Sequence, residues 1–240
     1  MSPVGHVEGP PDRLWADLAT AVEAVRMELG GAHAAREQAL RSCREAIRHS
    51  GLSIRAIHQL DPERAADEAS AAESAIRVAQ DVLAPYPRLA AAGFLHDAEK
   101  EYAEAVLTSA LVTGGALPRR DAVGVSGAAW LNGLAEAASE LRRHLLDRLR
   151  AGELERGEEL LGSMEACYEL LVTVDWPDAV TGGLRRTTDA LRAVLERSRS
   201  DVTTTVVQER LRRAVEERRA VEERRAVEER DRPEAGRSER

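Results

Sequence analysis

Aromatic residues are scarce in this 240-residue chain: three Trp, three Tyr and one Phe, 3% in all. A core of any size has to be built from Leu, Ala and Val. Strong helix formers dominate and β-branched residues do not, which points away from sandwiches and barrels and towards packed helices. Lysine is almost absent: Lys100 stands alone and every other basic side chain is Arg. Such a bias is ordinary in a GC-rich genome, although the guanidinium fork also suits bidentate phosphate binding. Cysteine is limited to Cys43 and Cys167, far apart and in no ligand spacing. That excludes a disulfide framework or a zinc knuckle, and both thiols are expected buried in a reducing compartment. No long apolar run exists. The longest weakly charged stretch, Ala105 to Pro118, is too short to span a bilayer and holds Gly114 and Gly115. With no signal-like opening segment, a soluble, cytoplasmic protein without membrane contact is expected. Basic excess is missing too: the formal net charge is −8, which excludes a general cationic coat but leaves room for a local stripe. Gly182-Gly183 lacks the following Lys and Ser/Thr of a phosphate loop, and no Ser/His/Asp or Cys/His arrangement can be argued.

What is present is helical periodicity. Charged residues make up 32% and hydrophobic ones 43%, as in helices with one buried and one solvated face. Trp15, Leu18, Val22, Val25 and Leu29 share a face of an expected helix over 13–29, which Gly30-Gly31 breaks or kinks. Further helices are expected over 32–60, 62–86, 88–112, 126–151 and 153–174, with a last one from 184. Asp61-Pro62 is a helix-start signal. The fold class expected is therefore all-α, a single-domain bundle of about seven helices. Residues 1–12 are expected to be disordered, 13–207 to form the bundle and 208–240 to form a charged tail. The tail repeats Arg-Arg-Ala-Val-Glu-Glu three times from Arg212 to Glu229. A six-residue period rotates each repeat by about 120°, so Val215, Val221 and Val227 point three ways and form no coiled-coil seam. A solvated helical extension, or a frayed one, is expected.

Two pairs of carboxylates carry the most chemistry. Glu101 and Glu104 are three apart on one helix, and Glu136 and Glu140 are four apart on another, so each pair shares a face. Ala98 and Ala105 flank the first pair, and Gly133 precedes the second by a turn. Paired carboxylates on two helices can hold a cation in a bundle core. Oxygen-only ligands favour Mg²⁺ or Mn²⁺ over zinc or iron, and such a site suits phosphoryl transfer. In a chain with 42 acidic residues, spacing alone equally describes solvated faces. A second feature is cationic: Arg41, Arg44, Arg48 and Arg55 recur at helical spacing beside an apolar stripe of Leu40, Cys43, Ile47, Ile54 and Ile57. They can hold phosphates or be an ordinary solvated face balanced by Glu37 and Glu45. Arg185 and Arg186, with Arg192, Arg197 and Arg199, form another candidate set. With so few aromatics, nucleic-acid binding through these groups would be backbone-led and salt-sensitive. His96 is read as a core or surface residue, and His58 as a cap on the basic helix.

Several stretches, taken in order, raise the metal reading. They are Arg36-Glu37 through Ile54-Arg-Ala-Ile-His58, Ala92-Gly-Phe-Leu-His-Asp-Ala-Glu-Lys-Glu-Tyr-Ala-Glu-Ala105, and Gly133-Leu-Ala-Glu-Ala-Ala-Ser-Glu-Leu-Arg-Arg143. Met164-Glu through Tyr168, Asp175-Trp-Pro-Asp178, Gly182-Gly-Leu-Arg-Arg186 and Glu196-Arg-Ser-Arg-Ser-Asp201 follow. In order and spacing, over roughly residues 33 to 205, the chain resembles the translin and translin-associated factor X family. The resemblance implies a seven-helix bundle, homo-oligomeric and roughly octameric shells, and binding of single-stranded RNA or DNA. In catalytic members it implies Mg²⁺-dependent endoribonuclease activity. It maps the metal ligands and catalytic carboxylates onto Glu101, Glu104, Glu136 and Glu140, and a basic nucleic-acid-binding helix onto the one carrying Arg41, Arg44, Arg48 and Arg55. Glu136 departs from the family pattern, which has Asp there, and Ser139 stands where Gly is usual. The alternatives are a non-catalytic oligomer that binds single-stranded nucleic acid, and a structural helical protein that binds partners through its tail.

Overall fold

The computed structural model describes residues 12–230. The segment expected to be disordered lies outside the described residues except for Asp12, which opens the first helix, and 231–240 of the tail lie outside them as well. Among the described residues there is no strand, and the chain is all-α as expected. The helices are α1 (Asp12–His58), α2 (Pro62–Leu83), α3 (Pro87–Ala90), α4 (Phe94–Thr113), α5 (Arg120–Val123), α6 (Gly127–Arg150), α7 (Leu154–Leu171), α8 (Asp178–Thr181) and α9 (Leu184–Arg230).

Two expected boundaries move. The helices expected over 13–29 and 32–60 are one continuous α1 that passes through Gly30 and Gly31. A glycine costs a helix interior only about 1 kcal/mol, which long flanks of good helix formers offset. Gly31 also has a packing reason: a Cβ there would lie 3.0 Å from the Tyr86 hydroxyl. Conversely, the helix expected over 88–112 is cut into α3 and α4, because Gly93 takes φ 95°, a left-handed conformation that ends the first turn and starts the second. Asp61 behaves as expected: its Oδ1 accepts from the Arg64 backbone N–H at 3.1 Å, with Pro62 in the first turn of α2.

The helices fall into two compact units. In the first, residues 12–137 and 176–184, α1 packs on α2 and α4 and α2 packs on α4. The buried face of α1 is lined by small side chains such as Ala39, Cys43, Ala46 and Ser50. These let neighbouring helices approach closely. The apolar stripe expected on α1 is only partly that face: Cys43 and Ile57 are buried, Leu40 and Ile54 are half-buried, and Ile47 is exposed. Glu99, a carboxylate buried on α4, joins three segments. It accepts from Gln80 Nε2 on α2 at 2.8 Å and from the Ser126 backbone N–H, just before α6, at 3.0 Å. Asn132 of α6 donates to the Thr181 carbonyl at the end of α8 at 2.7 Å.

The second unit, residues 138–175 and from 185 on, packs the later half of α6 with α7 and α9. Leu141, Leu145, Leu160, Met164, Leu191 and Leu195 are fully buried there. Arg142 ties α6 to α9, donating to Ser198 Oγ at 3.1 Å and pairing with Asp201 at 2.8 Å. The repeat tail is helical as far as Arg230. Val215, Val221 and Val227 are all exposed, and ion pairs such as Arg218–Glu222 at 3.0 Å lace the surface.

Candidate metal centre

The cluster begins with one close approach of two helices. A Cβ on Gly133 of α6 would lie 2.7 Å from Ala103 Cβ, 2.9 Å from the Glu104 backbone N and 2.9 Å from the Lys100 carbonyl of α4. Only glycine allows α6 to meet the α4 backbone this closely. Gly133→Ala is accordingly expected to destabilise the protein by about 1–3 kcal/mol, as overpacking does. The midpoint of chemical denaturation measures it, and an unchanged midpoint would contradict the close approach.

One turn beyond Gly133, Glu136 reaches the Glu101 and Glu104 side chains. One carboxylate oxygen from each of the three lies within 4.8 Å of the others. Glu104 is buried, and Glu101 and Glu136 are half-buried. The oxygens around a hexacoordinate Mg²⁺ stand about 3 to 4 Å apart, so small rotamer adjustments bring these three into range. The site already accommodates positive charge: the Lys100 ammonium donates to Glu136 at 2.9 Å and lies 3.3 Å from Glu101. Burial works against that charge, but the hydrogen bond and charge of Glu136, and then Glu101, outweigh it and raise the Lys100 pKa above its ordinary value.

The three-residue cluster corresponds to three of the four glutamates selected in the sequence. Glu140 sits one turn after Glu136 on α6, half-buried, and belongs to the second unit. Ala98 and Ala105 are fully buried and are helix-packing residues. His96 is half-buried and packs where Gly182 has no side chain: a Cβ there would lie 2.7 Å from the imidazole. Lys100, which pairs with Glu101 and Glu136, is the side chain at the cluster that the sequence reading missed. Its signal was available, since it is the only lysine and precedes Glu101 directly.

Arg41, Arg44, Arg48 and Arg55 are all exposed on α1. At 100° per residue they lie within about 60° of arc, a single stripe. Arg48 donates to His49 Nε2 at 2.7 Å, and His49 in turn meets Glu68 at 2.6 Å. Arg185 and Arg186 are exposed at the start of α9. Of the others in that set, Arg199 is engaged by Glu165 at 2.5 Å. Cys43 and Cys167 are buried free thiols, each pushed up to about 11, chiefly by burial. That removes both from nucleophilic chemistry near neutral pH.

Fold and site together define an all-helical bundle protein with a carboxylate cluster where two of its helices meet. No protein-family model matches the chain. The crystal structure of AfC3PO matches at 32% identity and a TM-score of 0.71, covering 78% of this chain and 98% of that one. The complex of AfC3PO with duplex RNA matches at 32% identity and a TM-score of 0.67, covering 78% and 97%. On this likeness the chain belongs to the translin/C3PO family. Apo-NeC3PO, at 16% identity and a TM-score of 0.70 over 82% of this chain and 99% of that one, shares the fold. An uncharacterized protein of Methanocaldococcus jannaschii is 28% identical over 179 residues, 74% of this chain and 79% of that protein. Among the described residues, no helix is long and apolar enough to cross a membrane.

Proposed function

We propose that the chain binds RNA or single-stranded DNA as a translin-type homo-oligomer and cleaves RNA endonucleolytically with Mg²⁺ or Mn²⁺. The observation that carries the reading is the convergence of Glu101, Glu104 and Glu136 within 4.8 Å. The oxygen-only donor set and the Lys100 ammonium lodged against it support a site built for a hard cation. The existence of an AfC3PO complex with duplex RNA supports RNA as the ligand class.

Glu101, Glu104 and Glu136 would hold the ion, with Glu140 as a further ligand or base. Bound there, the ion supplies Lewis acidity and a water activated at neutral pH. Arg41, Arg44, Arg48 and Arg55, with Arg185 and Arg186, would hold the phosphates by charge-assisted hydrogen bonds. The short supply of aromatics makes this binding backbone-led and steeply salt-dependent. Glu136 places its carboxylate one methylene farther out than the Asp usual in the family, and phosphoryl transfer depends on geometry at that scale.

Labelled single-stranded and duplex RNA, incubated with the purified chain and Mg²⁺, test the proposal. Cleavage abolished by chelator is the expected result, and Glu136→Asp is expected to raise its rate. RNA retained but never cut, in the parent and in Glu136→Asp alike, would overturn the nuclease reading. It would leave the second reading, a non-catalytic nucleic-acid binder. That one is favoured by a specific feature: Lys100 already compensates two of the three carboxylates.

A further inference from the structure

Of the four arginines in the α1 stripe, Arg48 alone, among the described residues, has its guanidinium fixed by another side chain. The partner is the next residue. His49 Nε2 lies 2.7 Å from Arg48 Nη2, and His49 Nδ1 lies 2.6 Å from Glu68 Oε2 of α2. A guanidinium has donors only. Nε2 is therefore the accepting nitrogen, the imidazole is neutral, and its one ring proton sits on Nδ1, where it donates to the Glu68 carboxylate. The His49 and Glu68 side chains are 23% and 20% exposed, whereas Arg48 is exposed. A relay thus runs outward from the contact of α1 with α2: Glu68 orients His49, and His49 holds Arg48.

We propose that His49 and Glu68 are positioning residues for Arg48, which they hold ready for a phosphate of an RNA strand. The proposal rests on the reading of Arg48 as a phosphate contact. Two features of the relay suit that task. The first is that the group holding Arg48 is uncharged. Arg36 is paired directly with Glu37 at 2.8 Å, and Arg199 with Glu165 at 2.5 Å; a phosphate approaching either has a carboxylate to displace. Arg48 is anchored by a neutral ring, and the carboxylate lies on the far side of that ring, so the guanidinium keeps its charge for an incoming anion. A carboxylate behind a histidine fixes the tautomer and ring orientation in the same way at metal sites. The second is donor count. The guanidinium has five N–H groups and spends one on His49, which leaves enough for a bidentate phosphate contact. A long side chain that is already held loses less freedom on binding than one that is free.

Retention of labelled single-stranded RNA by the full-length chain, in chelator and over a salt series, tests the relay in a double-mutant cycle. Arg48→Ala is expected to weaken retention about tenfold and to flatten the salt slope by about 0.7, the share of one phosphate contact on a single strand. His49→Leu fills the same half-buried position but accepts no hydrogen bond. It is expected to weaken retention about three- to tenfold with the salt slope unchanged, because no charge leaves the surface. His49→Gln, whose amide oxygen can accept from Arg48 while its nitrogen donates to Glu68, is expected to stay within about twofold of the parent. In the Arg48→Ala background, His49→Leu is expected to cost nothing further, since its effect passes through Arg48. A purely structural role for His49 would instead give the same loss in both backgrounds. That additive result, or parental retention in His49→Leu beside a weakened Arg48→Ala, would overturn the relay and leave Arg48 as a phosphate contact. An Arg48→Ala variant that retains RNA as the parent does, or a parent that retains none, would overturn the reading of Arg48 itself, and the relay with it.

Discussion

Replacing Glu104 by glutamine is expected to lower Mg²⁺-dependent RNA cleavage by at least about 100-fold and Mn²⁺ affinity by at least about tenfold, with RNA retention within about twofold of the parent. Glu104 is the most buried of the three converging carboxylates, so its charge is the least screened and the hardest for solvent to replace. Glutamine keeps the shape and one carbonyl oxygen but loses the negative charge that holds a hard cation. RNA retention should persist because the arginine stripe lies on α1 and is untouched. That pattern separates a ligand from a structural residue: loss of a structural glutamate would lower stability and leave metal affinity alone. Isothermal titration with Mn²⁺, an RNA-retention assay and a cleavage time course read the three quantities. An intact Mn²⁺ isotherm in Glu104→Gln would remove Glu104 from the ligand set.

Much of this molecule was legible because its elements are long and strongly periodic. Helical spacing carried the all-α class, the Asp61-Pro62 start and the shared faces of the glutamate pairs. Glycine was the weak point. Gly30-Gly31 reads as a break or kink and is the middle of a 47-residue helix; Gly93 lies inside the helix expected over 88–112 and is a true break. Local sequence does not distinguish a glycine used for left-handed φ from one used for close packing. The difference lies in a partner distant in the chain, such as Tyr86 for Gly31 or the Lys100–Glu104 segment for Gly133. The same limit hid the role of Glu99. Its spacing is no different from that of the cluster residues, yet it is satisfied by Gln80 and Ser126 and is a structural group. Spacing shows which side chains share a face; convergence depends on how near the two backbones come.

Removing the cation that already sits in the cluster should have the opposite effect to removing a carboxylate. Lys100→Met is expected to tighten Mn²⁺ binding by about tenfold or more. Lys100 holds Glu136 at 2.9 Å and Glu101 at 3.3 Å, so an incoming divalent ion must either displace the ammonium or bind beside it. At an effective dielectric constant near 20, unit charges 4 Å apart interact by about 4 kcal/mol. The lysine side chain is 21% exposed, and solvent screening and reorientation of its long stem reduce that figure to about 1–2 kcal/mol, the equivalent of about a tenfold change. Methionine keeps most of the buried stem and removes the charge, so Glu101 and Glu136 lose the ammonium they share. The metal-free variant is therefore expected to melt lower than the parent, and saturating Mn²⁺ to restore the loss, since binding to the folded state alone stabilises it. Cleavage can move either way, because a lysine beside the scissile phosphate also offers a cation to the developing charge; the binding isotherm and the melts decide the point. A variant that binds Mn²⁺ no more tightly than the parent would show that Lys100 and the divalent ion do not compete for the same carboxylates. Failure of both proteins to bind Mn²⁺ would remove the metal centre itself.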